Sequence, residues 1–312
     1  MKKIRNINIY FIIIMLLELI VPIILSLILT RINLRDIRVL LFLNHFVCFI
    51  VPAALYMIIT KSNPKKVLRL NKLPLRSFGI IVLIAFVSQP IMASCSAITS
   101  LFFQNNVASV FEQLKSTPAI VLFLLIAVMP AITEEITLRG VVLSGYNGTT
   151  DFKAALLNGL LFGIFHLDAQ QFLYAFVLGF ILAYVVRVTN SIFSSMSIHF
   201  LINATSVAVQ LIAIRFSENI QQSQNNVVMS TLPIAQKVLI IVGALCITAF
   251  FASIIFLLIR VLKSWHSEAE PVVIRTNSSE TTVEKERVIN IPLFIIIAIY
   301  ITIMTLILNG II

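Results

Sequence analysis

The chain has 312 residues, of which 59% are apolar and only 12% are charged, and its mean hydropathy is +1.04. Soluble domains are typically about half apolar and about a quarter charged. The 23 basic and 13 acidic residues are too few to coat a soluble protein of this length. The composition therefore excludes a soluble enzyme and predicts a protein of the lipid bilayer. For such a chain the formal charge of +10 reports topology, and no nucleic-acid partner is expected.

Nine stretches of the sequence are candidate transmembrane spans, since crossing a bilayer takes about 20 apolar residues. They cover residues 8–30, 39–59, 78–103, 118–144, 153–167, 170–188, 191–214, 236–262 and 290–311. The fifth stretch, between Lys153 and Asp168, is short for a full span and is expected to be tilted or partly re-entrant. The predicted fold class is all-α, a polytopic transmembrane helix bundle with about eight or nine spans.

The basic residues predict the orientation of these spans. If the N-terminus is cytoplasmic, six of the 23 basic residues fall on the far side, leaving 17 on the cytoplasmic side. The six are Arg31, Arg35, Arg38, Lys115, Arg215 and Lys237. The positive-inside rule then predicts a multi-pass cell-membrane protein with a cytoplasmic N-terminus and an extracytoplasmic C-terminus.

We divide the chain into three parts by the position of its polar residues. N-terminal helices occupy residues 1–117, a central group of helices occupies 118–215, and C-terminal helices occupy 216–312. The last part contains a polar, Ser-, Thr- and Glu-rich cytoplasmic linker at 264–289. The sequence shows no internal repeat, which argues against an inverted-repeat transporter.

Ionisable residues inside the apolar spans are the candidates for function, because each one costs at least about 2.5 kcal/mol to insert. Most of them lie between residues 130 and 205. They are Glu18, His45, Glu134, Glu135, Arg139, His166 and His199. The same spans also contain the polar residues Asn44, Asn158 and Asn203. Outside the central part, Glu18 is expected to be protonated or to pair helices, with a substrate-channel carboxylate as the alternative. His45 is expected to form an interhelical hydrogen bond.

The segment 130–140 contains two adjacent carboxylates and one cation. Glu135 and Arg139 are four residues apart, so on a helix they share a face and can pair. Glu134 points about 100° away and is left as a surplus acid that could act as a general base. A simpler interpretation stays open, in which a buried Glu–Arg pair only locks helices together.

Two histidines lie on the following spans. His166 ends an apolar segment whose Gly159 and Gly163 allow a neighbouring helix to approach closely, while His199 and Asn203 are one helical turn apart. Phe162 is expected to pack one turn below His166, and Asp168 either orients the His166 ring or is solvated. A carboxylate base, two imidazoles and an amide donor suffice to add water to a carbonyl.

The same residues leave the cofactor open between none and zinc. His166, His199 and Glu134 could hold zinc with one position left for water. The compact H-E-x-x-H zinc pattern is absent.

In this pattern the sequence resembles the CPBP intramembrane proteases, which include the CAAX-processing endopeptidases and the bacteriocin-processing and self-immunity (Abi-type) proteins. The family has three motifs, E-E-x-x-x-R, F-x-x-x-H and H-x-x-x-N, on successive helices. They appear here as Glu134, Glu135 and Arg139, then Phe162 and His166, then His199 and Asn203. The resemblance covers about residues 118–208.

The resemblance implies a role for each polar motif residue. Glu134 and His166 would activate the attacking water, His199 and Asn203 would stabilise the oxyanion, and Glu135 and Arg139 would hold the site together. Members of the family have been classified both as metalloproteases and as glutamate-type peptidases. The implied activity is an intramembrane endopeptidase whose partners are the lipid bilayer and a peptide or membrane-protein substrate. The alternative is a non-proteolytic scaffold or a bacteriocin self-immunity protein that retains the fold.

Overall fold

The computed structural model describes residues 3–104, 111, 113–217, 231–267 and 287–310. This part of the chain is helical and contains no strand, so the predicted all-α bundle is confirmed. The longer helices and one short one are α1 (Lys3–Arg31), α2 (Ile37–Ile59), α3 (Pro64–Val67), α4 (Leu75–Ser100), α5 (Ala119–Gly145), α6 (Asp151–Phe165), α7 (Ala169–Thr189), α8 (Ile192–Ser217), α9 (Ile234–Ser267) and α10 (Ile291–Leu308). Most of the predicted linker at 264–289 lies outside the described residues.

Eight helices in the described ranges are long and apolar enough to cross a membrane: α1, α2, α4, α5, α7, α8, α9 and α10. The remaining predicted span is α6, which has 15 residues. At 1.5 Å per residue α6 is about 22 Å long, shorter than the roughly 30 Å hydrocarbon core. The expectation of a short fifth element is therefore confirmed, and His166 caps its C-terminal end.

Polar contacts gather several helix ends at one end of the bundle. The Arg187 Nε atom near the end of α7 lies 2.8 Å from Asp151 Oδ1 at the start of α6. Arg69, in the segment between α3 and α4, donates to Asn147 Oδ1 at 2.6 Å. Burial lowers the pKa of the Arg69 guanidinium to about 10, which still leaves it charged at neutral pH. Since α6 begins where α7 ends, the two helices form an antiparallel hairpin.

Two glycines allow the backbones of this hairpin to approach closely. A Cβ atom at Gly159 would lie 2.7 Å from the Phe176 carbonyl oxygen and 2.8 Å from the Phe180 nitrogen. A Cβ atom at Gly163 would lie 2.9 Å from the Phe172 carbonyl oxygen. The predicted close approach of a neighbouring helix is confirmed, and that neighbour is α7.

Helices α2 and α5 are not regular throughout. Each contains wider π turns, at Phe46–Ile50 in α2 and at Phe123–Val128 and Ile136–Val142 in α5. The first two end shortly before Pro52 and Pro130. Proline has no N–H and its ring clashes with the carbonyl four residues earlier, so a wider turn relieves the helix there.

Candidate active site

The predicted pair of Glu135 and Arg139 is confirmed. The Arg139 Nη1 atom lies 2.8 Å from Glu135 Oε1, and both side chains are fully buried. Arg139 also donates to the Gly179 carbonyl at 3.3 Å, and its guanidinium lies 4.3 Å from the centre of the Phe162 ring. The cation is therefore held by α5, α6 and α7 together, which offsets part of the cost of burying it.

His199 joins this pair from α8. Its Nδ1 atom lies 2.9 Å from Glu135 Oε1. Because a carboxylate only accepts, the ring must carry its hydrogen on Nδ1. Glu135 thus receives hydrogen bonds from Arg139 and His199 at one oxygen, and it connects α5 to α8.

Glu134 faces the other nitrogen of the same ring. Its Oε2 atom lies 3.9 Å from His199 Nε2. The Glu134 side chain is 14% exposed, whereas that of Glu135 is 0% exposed. A separation of 3.9 Å is too long for a hydrogen bond, but one water molecule to the side of the two atoms can hydrogen-bond to both. As predicted, Glu134 is the carboxylate that Arg139 does not bind directly.

The Phe162 ring contacts both His166 and His199. The His166 Nδ1 atom donates to the Phe162 carbonyl at 2.9 Å, so Nε2 is unprotonated in the neutral ring. The centre of the Phe162 ring is 4.7 Å from that of His166 and 6.0 Å from that of His199. Asp168 caps α7 by accepting from the Gln170 and Gln171 amides. The hydrogen bond that orients the His166 ring therefore runs to Phe162.

Asn203 lies one turn beyond His199 on α8. Its Nδ2 atom donates to the Ile126 carbonyl of α5 at 3.1 Å. This side chain is therefore part of the contact between α5 and α8.

Two helices that precede the motifs also reach this region. Asn44 of α2 donates to Glu18 of α1 at 3.0 Å, so the predicted helix-pairing role of Glu18 is confirmed. His45 Nδ1 lies 2.9 Å from the Thr133 hydroxyl, which itself donates to the Met129 carbonyl, so His45 is the donor. The predicted interhelical bond of His45 is confirmed. Sequence reasoning missed its partner, because nothing in the sequence indicates which face of α5 meets α2.

The side chains predicted as candidate metal ligands are His166, His199 and Glu134. Across the ranges that the structure covers, no three His, Cys, Asp or Glu side chains are grouped closely enough to hold a metal ion. The Nδ1 atoms of both histidines are engaged, by Phe162 and by Glu135, which leaves the Nε2 atom of each ring available.

Comparison with known proteins identifies the region that carries these residues. Residues 116–205 match the family described as type II CAAX prenyl endopeptidase Rce1-like. The predicted family resemblance is confirmed. The Rce1-like region runs from the start of α5 into α8 and contains all six polar motif residues.

A curated relative extends the similarity beyond this region. The chain is 24% identical over 196 residues to the "Putative membrane peptidase YdiL" of Bacillus subtilis (strain 168), which covers 60% of this chain and 79% of the relative. No solved structure gives a significant match. Both similarities point to membrane peptidases at the level of the family.

Proposed function

We propose that the chain is an intramembrane endopeptidase that hydrolyses a peptide bond of a membrane-associated peptide or protein. The proposal depends on one observation: Glu134 Oε2 and His199 Nε2 face each other at a distance of 3.9 Å. Beside them, Glu135 is already neutralised by Arg139. A base therefore faces a ring nitrogen that becomes a hydrogen-bond donor when the imidazole is protonated, in a site that has one surplus carboxylate.

Glu134 is the general base of the proposed reaction. It accepts a proton from a water molecule as the water oxygen attacks the substrate carbonyl carbon. His166 assists by accepting a second hydrogen bond from that water at its unprotonated Nε2 atom, as the family resemblance implies. When the tetrahedral intermediate collapses, the C–N bond breaks and Glu134 returns the proton to the leaving amine.

His199 stabilises the oxyanion that forms during the attack. In its protonated form the ring donates from Nε2, the nitrogen on the side of Glu134. Glu135 holds the opposite N–H at 2.9 Å and balances the positive charge of the ring. A preorganised charged donor stabilises an oxyanion more strongly in a site shielded from bulk water than the same donor does in water.

The first test is the substitution Glu134→Gln in purified protein reconstituted in lipid. We expect cleavage of membrane-anchored peptides to be lost while folding is retained, because glutamine has the same shape but cannot take the proton. The peptides should be supplied with and without a prenyl group, since the family description names prenyl endopeptidases. Mass spectrometry of the products gives the cleavage site.

Glu18→Gln is the matched control. It removes a carboxylate from another transmembrane helix, yet its side-chain oxygen still accepts from Asn44, so we expect activity to be kept. Equal loss of cleavage in both variants would contradict the assignment of the base to Glu134. Full cleavage by E134Q would contradict the mechanism.

A second test concerns metal dependence. We expect cleavage to continue in a strong chelator, because the structure groups no three potential ligands among the residues it describes. The metal content of the active protein should be measured by mass spectrometry on the same sample. Loss of activity on chelation, with recovery on adding zinc alone, would overturn this expectation.

A further inference from the structure

A basic segment connects α2 to α4 at one end of the bundle. It covers residues 61–76 and contains six basic residues and no acidic one. Since α2 ends at Ile59 and α4 begins at Leu75, the segment lies between two transmembrane helices, at the level where the bilayer meets water. A cluster of several Lys and Arg residues beside a transmembrane helix is typical of a site for anionic lipid headgroups.

The outer face of the basic segment combines positive charge with exposed apolar side chains. Its exposed lysines are Lys61, Lys65, Lys66 and Lys72. Among and after them, Leu70 and Leu75 are 38% and 84% exposed. Lysine stems lie along apolar surface while their ammonium groups stay in water, so this combination fits the boundary between headgroups and acyl chains. A soluble acidic partner would use the lysines and leave the leucines in water.

The inner face of the basic segment packs on α5. Leu68 and Arg69 are both buried. A Cβ atom at Gly140 would lie 2.4 Å from Leu68 Cδ2, so the two surfaces are in close contact. The Arg69 guanidinium donates to the Arg139 carbonyl at 3.3 Å and to Asn147 Oδ1 at 2.6 Å. The segment therefore touches the turn of α5 that carries the cation of the candidate active site.

The same segment also holds the start of α8. The Arg69 carbonyl accepts from the Ile192 amide at 3.1 Å. The Asn71 side chain donates to the Asn190 carbonyl, and its backbone carbonyl accepts from the Ser191 hydroxyl, each at 2.7 Å. Arg69 thus binds α5 through its side chain and α8 through its backbone. These are the two helices whose carboxylates and imidazole meet in the candidate active site.

We propose that the basic segment is a binding site for the headgroups of anionic phospholipids, and that lipid bound there holds α5 and α8 at the spacing that the active site requires. The lysines supply the complementary charge, and Arg69 supplies the connection to both helices. The segment lies outside the Rce1-like region at 116–205. The effect on cleavage rests on the proposed peptidase function, whereas lipid binding and helix spacing do not.

The experiment places purified protein in nanodiscs of phosphatidylcholine, with or without phosphatidylglycerol. Both leaflets of a nanodisc are accessible and have the same lipids, so the result does not depend on orientation. The double variant K65Q/K66Q removes two exposed charges from the basic segment, and folding should be retained. The matched control is R31Q/R35Q, which removes two exposed charges at the other end of the bundle.

Lipid binding is measured by native mass spectrometry and by melting temperature. Each lysine near an anionic surface contributes about fivefold in affinity, so K65Q/K66Q should bind phosphatidylglycerol on the order of tenfold less tightly. Phosphatidylglycerol should raise the melting temperature of the wild type and of R31Q/R35Q more than that of K65Q/K66Q. Cleavage by the wild type and the control should rise about fivefold with phosphatidylglycerol, and K65Q/K66Q should not respond.

The connection to the site is tested with Arg69→Met. This variant keeps the exposed lysines, so it should bind phosphatidylglycerol as the wild type does, but its cleavage should no longer respond to the lipid. If R69M does not fold, Asn71→Ala is the second variant. It removes one side-chain bond to the Asn190 carbonyl, and its response should be smaller than that of the wild type.

A distance measurement reports the spacing without any cleavage. Spin labels at Ile120→Cys on α5 and Val209→Cys on α8 replace exposed side chains, in a background without the three native cysteines. We expect phosphatidylglycerol to narrow the distribution of distances between the labels in the wild type. The distribution should stay broad in K65Q/K66Q, and also in R69M or N71A.

Three results would overturn the inference. Equal binding of phosphatidylglycerol by K65Q/K66Q and R31Q/R35Q would exclude the basic segment as the lipid site. A wild-type distance distribution that is the same with and without phosphatidylglycerol would exclude the effect on α5 and α8. Inorganic phosphate that reproduces the effect in phosphatidylcholine nanodiscs would assign the site to a soluble anion. If the wild type cleaves no peptide, the proposed function fails, and lipid binding and the label distances still decide this inference.

Discussion

Glu134 and Glu135 are neighbours of the same residue type with different tasks. The helix rotates by about 100° between them, so Glu135 points to Arg139 and His199 while Glu134 points to the edge of the same imidazole. Burial follows the same division, since the Glu135 side chain is fully buried and that of Glu134 is partly exposed. One carboxylate is therefore fully buried and paired with Arg139, and the other is the general base of the proposed reaction.

This division predicts opposite results for the two glutamines. Glu135→Gln leaves Arg139 buried without its counter-charge, which should cost about 3–5 kcal/mol of stability. Glu134→Gln should leave stability near that of the wild type. Reversible unfolding in detergent or bicelles measures both. Adding Arg139→Met to E135Q removes both charges and should recover much of the stability, but not the activity; equal stability of E135Q and wild type would contradict the structural role of Glu135.

At the residue scale, what could be predicted depended on sequence separation. The Glu135–Arg139 pair follows from a four-residue spacing on one helix. The bond from His199 to Glu135 joins residues 64 apart, and it depends on how α8 is rotated against α5. The motif pattern indicates that these residues act together, but the packing of the two helices decides which nitrogen meets which carboxylate.

At the scale of elements, the α6–α7 hairpin positions His166. The ring sits at the end of α6, and α6 is held against α7 where two glycines leave room for its backbone. A change in the spacing of this hairpin therefore moves one of the two imidazoles relative to the other.

Gly159→Ala tests this role of the hairpin. The added methyl group would lie 2.7 Å from a backbone oxygen of α7, which cannot move aside as a flexible side chain could. We expect a loss of about 1–3 kcal/mol in stability, together with reduced cleavage. Gly243→Ala on α9 is the control, because a Cβ atom there has no neighbour within 4 Å, and it should be neutral or slightly stabilising. Equal melting temperatures for the two variants would contradict the packing argument.

The transmembrane helices could be predicted from the sequence wherever the length of an apolar stretch is enough to define them. Eight spans follow from about 20 apolar residues each, and the weakness of the fifth span was visible from its length. The π turns were not predicted, because they are defined by backbone hydrogen bonds rather than by a hydropathy pattern. Pro52 and Pro130 were the available signals, but the third segment, Ile136–Val142, contains no proline.

At the scale of the whole molecule, the site draws on more than the Rce1-like region. Thr133 receives a hydrogen bond from His45 of α2, and the Arg139 carbonyl receives one from Arg69 at 3.3 Å. A Cβ atom at Gly140 would lie 2.4 Å from the Leu68 side chain, so the segment before α4 packs directly on α5. Contacts therefore cross the predicted boundary at residue 117.

The distribution of basic residues predicts the orientation of the bundle in the membrane. With 17 of 23 basic residues assigned to one side, we expect the N-terminus and the segment around Lys65 to be cytoplasmic. Lys65→Cys and Arg35→Cys, in a background without the three native cysteines, can be labelled in intact cells with a membrane-impermeant maleimide. We expect labelling at position 35 and none at position 65 until the cells are opened. The reverse pattern would invert the topology.

The short length of α6 has a consequence for the surrounding lipid. A helix of about 22 Å leaves about 8 Å of a typical hydrocarbon core unmatched. Such hydrophobic mismatch is met by thinning the bilayer locally, or by admitting water above the helix end. The free-energy cost rises with acyl-chain length, so membrane thickness itself acts on the hairpin that carries His166. In the proposed reaction, the water that reaches His166 would therefore enter at the level where α6 ends.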